Sequence, residues 1–137
     1  MINSRKLSDL RPGAEKKFRF WTRACAIIGI DVLIYCTYRD FEQQNALYAI
    51  GRTKKGKKVT NAKGGKSWHQ YRLAVDAVPM VGGKPQWDDK MSYAKMGLVA
   101  RKLGIEWAGD WKRFKELAHF QYTNGYDMDH FRDGGTL

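Results

Sequence analysis

Apolar residues recur along the chain with two periods, and the switches between them mark the elements. Pro12 opens a stretch in which Phe18, Trp21, Cys25 and Ile28 fall on one helical face, and its fixed φ suits a first turn. Gly29 stands where a left-handed residue would end that helix. Residues 31–37 are β-branched and apolar and predict a buried strand. Asp40, with Gln43 three residues on, predicts a boxed helix cap, and the helix runs to about Ile50 before Gly51 stops it. Residues 73–78 predict a strand closed by Pro79, followed by a turn at Gly82 and Gly83. Tyr93, Met96, Ala100 and Leu103 share one face of a third helix over about 91–103, with Gly104 as its cap. Residues 107–114 are aromatic without a period, 119–122 alternate as a short strand, and the polar tail from Tyr126 is expected to be loosely held. The mixture predicts an α+β fold, helices packed on one small antiparallel sheet. No repeat or linker divides the chain, which reads as one domain over 1–137 with a core at about 12–124 and a polar tail at 125–137.

Charge sharpens this picture. The 137 residues carry a formal net charge of +11, yet 43% are hydrophobic and 13% aromatic, too apolar for a disordered basic tail. No stretch is long and apolar enough to span a bilayer, and the first residues lack the apolar segment of a secretion signal, so synthesis in the cytoplasm is expected. Cys25 and Cys36 have no CxxC partner and read as small buried hydrophobes. From Gly51 to Lys66 there are seven basic residues and no acid. Such a run is usually a solvated face, but long loops in compact domains tend to be functional. The charge alone leaves nucleic acid, an anionic membrane and an anionic wall polymer open as partners.

The three histidines carry the candidate chemistry. His69 ends the basic loop, and Asp76 follows seven residues later inside an apolar strand, where a carboxylate needs a partner or a metal. An imidazole and a carboxylate entering one pocket are two ligands of a zinc site, although a lone His beside a structural Asp fits that pair as well. Glu116 precedes His119 by three residues, so His119 offers a third ligand and Glu116 a carboxylate beside a metal-bound water. His130, with Asp127 before it, competes for the third place; the apolar surroundings of His119 favour His119.

Ser67-x-His69-x6-Asp76 followed by Glu116-x-x-His119 resembles the LAS-type zinc peptidases (peptidase family M15). These include D-alanyl-D-alanine carboxypeptidases and phage L-alanyl-D-glutamate endopeptidases. Thr37-Tyr38-Arg39-x-x-x-Gln43-Gln44-x-x-Leu47-Tyr48 is similar to the family's arginine segment. Val59-Thr60-Asn61-Ala62-x-Gly64-Gly65 and Gly109-Asp110-Trp111-Lys112 are similar to its endolysin branch, and the likeness spans roughly 30–122.

The resemblance implies a hedgehog/D-Ala-D-Ala peptidase-like fold with its zinc site at the sheet, Zn2+ held by His69, Asp76 and His119, Glu116 as general base and then acid, and Arg39 on the scissile carbonyl. Ser67, Gln44, Trp68 and Gln121 are the expected substrate-side residues, Gln121 also as a support for a ligand, and Trp68 is the aromatic expected to touch substrate. Arg72 departs from the family's glycine, where positive φ is the usual reason for glycine. The implied function is a phage endolysin that cuts the L-alanyl-D-glutamate bond of peptidoglycan stem peptides. The alternatives are a D-alanyl-D-alanine carboxypeptidase and a non-catalytic basic module for wall or nucleic acid. On the endolysin reading the partner is the wall, with no specific nucleic acid. The protein would then be a monomer made in the host cytoplasm, reaching the wall after a separate protein permeabilises the membrane.

Overall fold

The computed structural model describes residues 1–137. In chain order the elements are α1 (Pro12–Ile27), β1 (Asp31–Cys36), α2 (Phe41–Ala49), β2 (Ala74–Val81), β3 (Lys84–Pro85), α3 (Lys90–Lys102), β4 (Glu106–Trp107), β5 (His119–Gln121) and α4 (Met128–Arg132). The sheet is antiparallel, in the order β1-β2-β5-β4, with β3 folded back on the end of β2. Helices packed on this sheet make the fold α+β, as the periodicity predicts. No helix is long and apolar enough to cross a membrane.

The core lies between the sheet and α1 with α3. Phe18, Trp21 and Cys25 of α1 are fully buried, and Trp21 meets Phe120 of β5 at 4.4 Å between ring centres. The Trp21 indole N–H donates to the Met96 carbonyl at 3.0 Å, so the buried ring leaves no orphan donor and ties α1 to α3. Trp107 lies between two glycines: a methyl group on Gly97 or Gly109 would overlap its indole. Its N–H donates to the Leu117 carbonyl at 2.8 Å, which anchors the segment that carries Glu116.

Several expectations are corrected. Ile28 is exposed rather than on the core face, because α1 stops at Ile27. The strand at 31–36 is half-exposed, since it is the sheet's edge. β2 runs past Pro79 to Val81; the Pro79 carbonyl accepts from Gln86, away from β1, so the missing N–H faces the short β3 side and takes no bond from the β1 ladder. The predicted box at Asp40 is half made: Asp40 Oδ1 takes the Gln43 amide at 2.8 Å. The two residues of β4, silent in the periodicity, complete the sheet. The tail read as loosely held forms α4 and seats Phe131 in the core. Arg72 does adopt the left-handed conformation, φ 62° and ψ 39°. Its guanidinium stacks 3.8 Å over Tyr38 and bonds to the Asp9 carbonyl at 2.8 Å, contacts that a glycine would forgo.

Gly97→Ala is expected to destabilise the protein by about 1–3 kcal/mol, the usual cost of overpacking. Thermal unfolding checks this, and an unchanged melting temperature would mean that Trp107 has room to move.

Candidate functional site

Strand alternation decides which side chains meet. Val75 and Phe120 pair toward the helices, so the next pair, Asp76 and His119, faces the other way. A register irregularity in β1 between Ile34 and Cys36 places Cys36 opposite Asp76, and Cys36, Asp76 and His119 form a row across three strands. His69 arrives from a 3-10 turn over Trp68–Tyr71 that leads into β2. That turn is boxed at its start: Ser67 Oγ accepts the His69 amide at 3.4 Å, and Gln70 Oε1 accepts the Ser67 amide at 3.1 Å.

Each imidazole is held from its outer edge. His69 Nδ1 lies 2.7 Å from the Thr37 carbonyl oxygen. A carbonyl only accepts, so Nδ1 carries the hydrogen and the Nε2 lone pair faces Asp76 Oδ1 at 3.3 Å. Glu106 accepts from Gln121 Nε2 at 3.2 Å, which turns Gln121 Oε1 toward His119 Nε2 at 2.9 Å. Nε2 therefore carries the hydrogen, and His119 Nδ1 presents its lone pair to Asp76 Oδ1 at 3.3 Å.

Two imidazole lone pairs and a carboxylate oxygen thus converge, and such acceptors repel unless a cation lies among them. A proton can meet that need as a metal ion would. Burial of the His69 ring opposes protonation, but the charge of Asp76 outweighs it and raises His69 to about 10. Burial likewise raises Asp76, yet the two histidines hold it well below the usual carboxylate range. Two nitrogens and one oxygen, with outer hydrogen bonds that fix each ring, are a donor set that fits zinc.

Cys36, His69 and Asp76 also present ligand atoms within 4.8 Å of one another. Cys36, however, meets the Nδ1 edge of His69 at 3.6 Å, the edge that Thr37 already occupies. Its role as a mere small hydrophobe is corrected all the same, because its sulfur accepts from Arg39 Nη2 at 3.2 Å.

A cavity of about 620 Å³ opens over this row. Arg39, Ser67, Trp68, Glu116 and Gln121 line it. Glu116 is exposed, and its Oε2 lies 4.0 Å from His119 Nδ1. Arg39 Nη2 lies 3.5 Å from Asp76 Oδ2, and its buried Nε has no partner. Gln44 is placed differently from the expectation: it is fully buried beneath Arg39 and does not line the cavity. Its Oε1 accepts from Arg39 Nη1 at 2.9 Å, so it holds the guanidinium. Trp68 is half-buried against Tyr71 and Phe131. His130 lies apart, stacked on Tyr126 and bonded to the Thr136 carbonyl. Trp87 and Tyr35, which also line the cavity, were not expected in the site.

The chain is 42% identical over 123 residues to the peptidoglycan L-alanyl-D-glutamate endopeptidase CwlK of Bacillus subtilis (strain 168), an alignment that covers 83% of this chain and 74% of that protein. The chain belongs to the M15 peptidase family. Residues 60–122 match the family described as D-alanyl-D-alanine carboxypeptidase. The L-alanyl-D-glutamate peptidase of Listeria phage A118 is 32% identical over 139 residues, covering 99% of this chain and 45% of that protein. The crystal structure of the L-Ala D-Glu endopeptidase ChiX of Serratia marcescens has the same fold, with a TM-score of 0.67 at 24% identity over 95% of this chain and 87% of that one. M15 peptidases are zinc-dependent, which agrees with the donor set.

Two outcomes follow from the outer bonds. Gln121→Ala frees His119 Nε2, and zinc affinity in a chelator competition is expected to fall about 10- to 100-fold; equal affinity would show that Gln121 does not orient the ring. Zinc uptake at pH 7 is expected to displace about one proton, that of His69. Calorimetry in buffers of different ionisation enthalpy reads that number, and no release would contradict the raised His69.

Proposed function

We propose that this M15 peptidase is a zinc-dependent endolysin that hydrolyses the L-alanyl-D-glutamate bond of peptidoglycan stem peptides. The observation that carries the reading is the convergence of His69 Nε2, Asp76 Oδ1 and His119 Nδ1, each 3.3 Å from its neighbour across Asp76, with Glu116 beside them. Likeness to two L-alanyl-D-glutamate peptidases, one from a phage, favours that bond. The family description favours D-alanyl-D-alanine carboxypeptidase as the second reading.

On this reading His69, Asp76 and His119 hold zinc, which when bound supplies Lewis acidity. Glu116, exposed at the cavity wall, takes a proton from the attacking water and returns it to the departing D-glutamyl amine. Arg39 holds the scissile carbonyl oxygen as negative charge grows on it. Gln44, Cys36 and Asp76 fix the guanidinium, so little reorganisation is needed during the reaction. Ser67, Trp68 and Gln121 line the walls against which the stem peptide lies.

The basic loop fits the same substrate. Lys54, Lys55, Lys57 and Lys58 are exposed, and Lys66 lines the cavity. Arg52 instead stacks 3.7 Å over Tyr48 and bonds to the Thr60 carbonyl, bracing the loop. The exposed lysines attract an anionic wall, an effect that salt weakens. The protein acts as a monomer, since one chain supplies every donor, and it works on the wall once the host membrane is permeabilised.

The test is digestion of purified peptidoglycan with and without a chelator, with fragment masses. New termini at alanyl-glutamate junctions, lost on chelation, are expected. Release of D-alanine would establish the second reading, and no metal-dependent cleavage would overturn both. Glu116→Ala is expected to lower turnover by a factor on the order of 10²–10⁴ while zinc stays bound; loss of zinc would make Glu116 a ligand instead.

A further inference from the structure

We propose that Trp87, propped by Tyr35, is a platform on which the amino-sugar ring carrying the stem peptide stacks, so that the site recognises glycan-linked peptide. This rests on the L-alanyl-D-glutamate reading above. Trp87 is 51% exposed and lines the cavity, so its ring is open to a ligand there. Tyr35 meets it edge-on, ring centres 5.3 Å apart at 77°, and both line the cavity over the ligand row. Tyr35 is the residue passed over where the β1 register shifts between Ile34 and Cys36, and such bulges re-aim side chains. Burial, and then the charge of Asp76, raise the Tyr35 phenol above its ordinary range, so it stays neutral. The result is an uncharged aromatic shelf whose electron-rich face suits the C–H bonds of a pyranose ring.

The two ends of the cavity differ in chemistry, and β2 measures their separation. The Leu73 amide bonds to the Trp68 carbonyl, and the Pro79 carbonyl accepts from Gln86, next to Trp87. Leu73 and Pro79 each lie three residues from Asp76, about 10 Å along the strand, so the backbone of the Trp68 turn and that of Trp87 join β2 on opposite sides of Asp76. The Trp68 end carries Ser67 and Lys66, and the other end carries the uncharged rings of Tyr35 and Trp87. Cleavage of an L-alanyl-D-glutamate bond leaves a D-glutamyl product with a carboxylate, which suits the end with Lys66. The L-alanine on the other side is amide-linked to the lactyl group of the sugar, so the sugar is one residue from the scissile bond. It therefore falls at the uncharged, aromatic end.

Two measurements decide the matter. The first is kcat/KM on a disaccharide-linked stem peptide against the same peptide with an N-acetyl-L-alanyl end. The wild type is expected to prefer the glycan-linked substrate by roughly three- to tenfold, the scale of one aromatic contact. Trp87→Ala is expected to erase that preference and Trp87→Phe to keep part of it. A ratio unchanged in Trp87→Ala would overturn the platform, and because it is a ratio, partial misfolding does not affect it. The second is titration of the wild type with N-acetylmuramyl-L-alanine, which has no bond to cut, observed through the tryptophan indole NMR signals. A saturable shift at Trp87 is expected, and shifts elsewhere alone would overturn the proposal. If the wild type cleaves neither peptide, the peptidase reading fails, while the titration still decides the platform.

Discussion

Two hydrogen bonds on the outer edges of the imidazoles determine what the centre of the site holds. The Thr37 carbonyl fixes the hydrogen of His69 on Nδ1, and the Glu106–Gln121 pair fixes that of His119 on Nε2. The lone pairs that remain point at one carboxylate oxygen. In a buried setting that arrangement is unfavourable without a positive charge, and the raised His69 and lowered Asp76 express the same demand in protons. On the proposed zinc reading, a metal ion and a proton compete for one place.

The fold serves this constraint with few elements. Antiparallel pairing puts Asp76 and His119 on one face of the sheet and Val75 and Phe120 on the other, so a single register sets both site and core. Trp107, closed in by Gly97 and Gly109, carries the core's rigidity to Leu117 and so to Glu116. Arg39 is tied from three sides, by Gln44, Cys36 and Asp76, and only its Nε lacks a partner. The residues that hold are buried or largely so, while Glu116, assigned the moving proton, is exposed at the rim.

Two of the residues proposed as ligands stood out because they break a local rule: Asp76 is a charge in an apolar strand, and His119 opens an alternating segment after Glu116. Gln121 was legible too, being two residues on and therefore on the same face. Helix ends at Pro12, Gly29 and Gly104 carried their own signals. What escaped depends on contacts between distant segments. Nothing in β1 marks the bulge at Tyr35, since a register is defined only against β2. Trp87 sits in a polar stretch after a glycine turn, and its place over the cavity comes from the Gln86–Pro79 bond. Gln44 belongs to the same motif as Arg39, but its burial beneath the guanidinium is a tertiary fact. Two-residue β4 is too short for any periodicity, and Phe131 is a single apolar anchor in a polar tail. Arg72 reverses the pattern: it departs from the family's glycine, yet the left-handed conformation that glycine usually serves is there, with stacking on Tyr38 and a bond to Asp9 beside it.

Cys36 lies close enough to His69 and Asp76 to rival His119 for a cation. X-ray absorption at the zinc edge of the zinc-loaded protein separates them. Coordination by His69, Asp76 and His119 predicts nitrogen and oxygen neighbours only, at about 2.0–2.2 Å. A sulfur neighbour at about 2.3 Å would make Cys36 a ligand and contradict it.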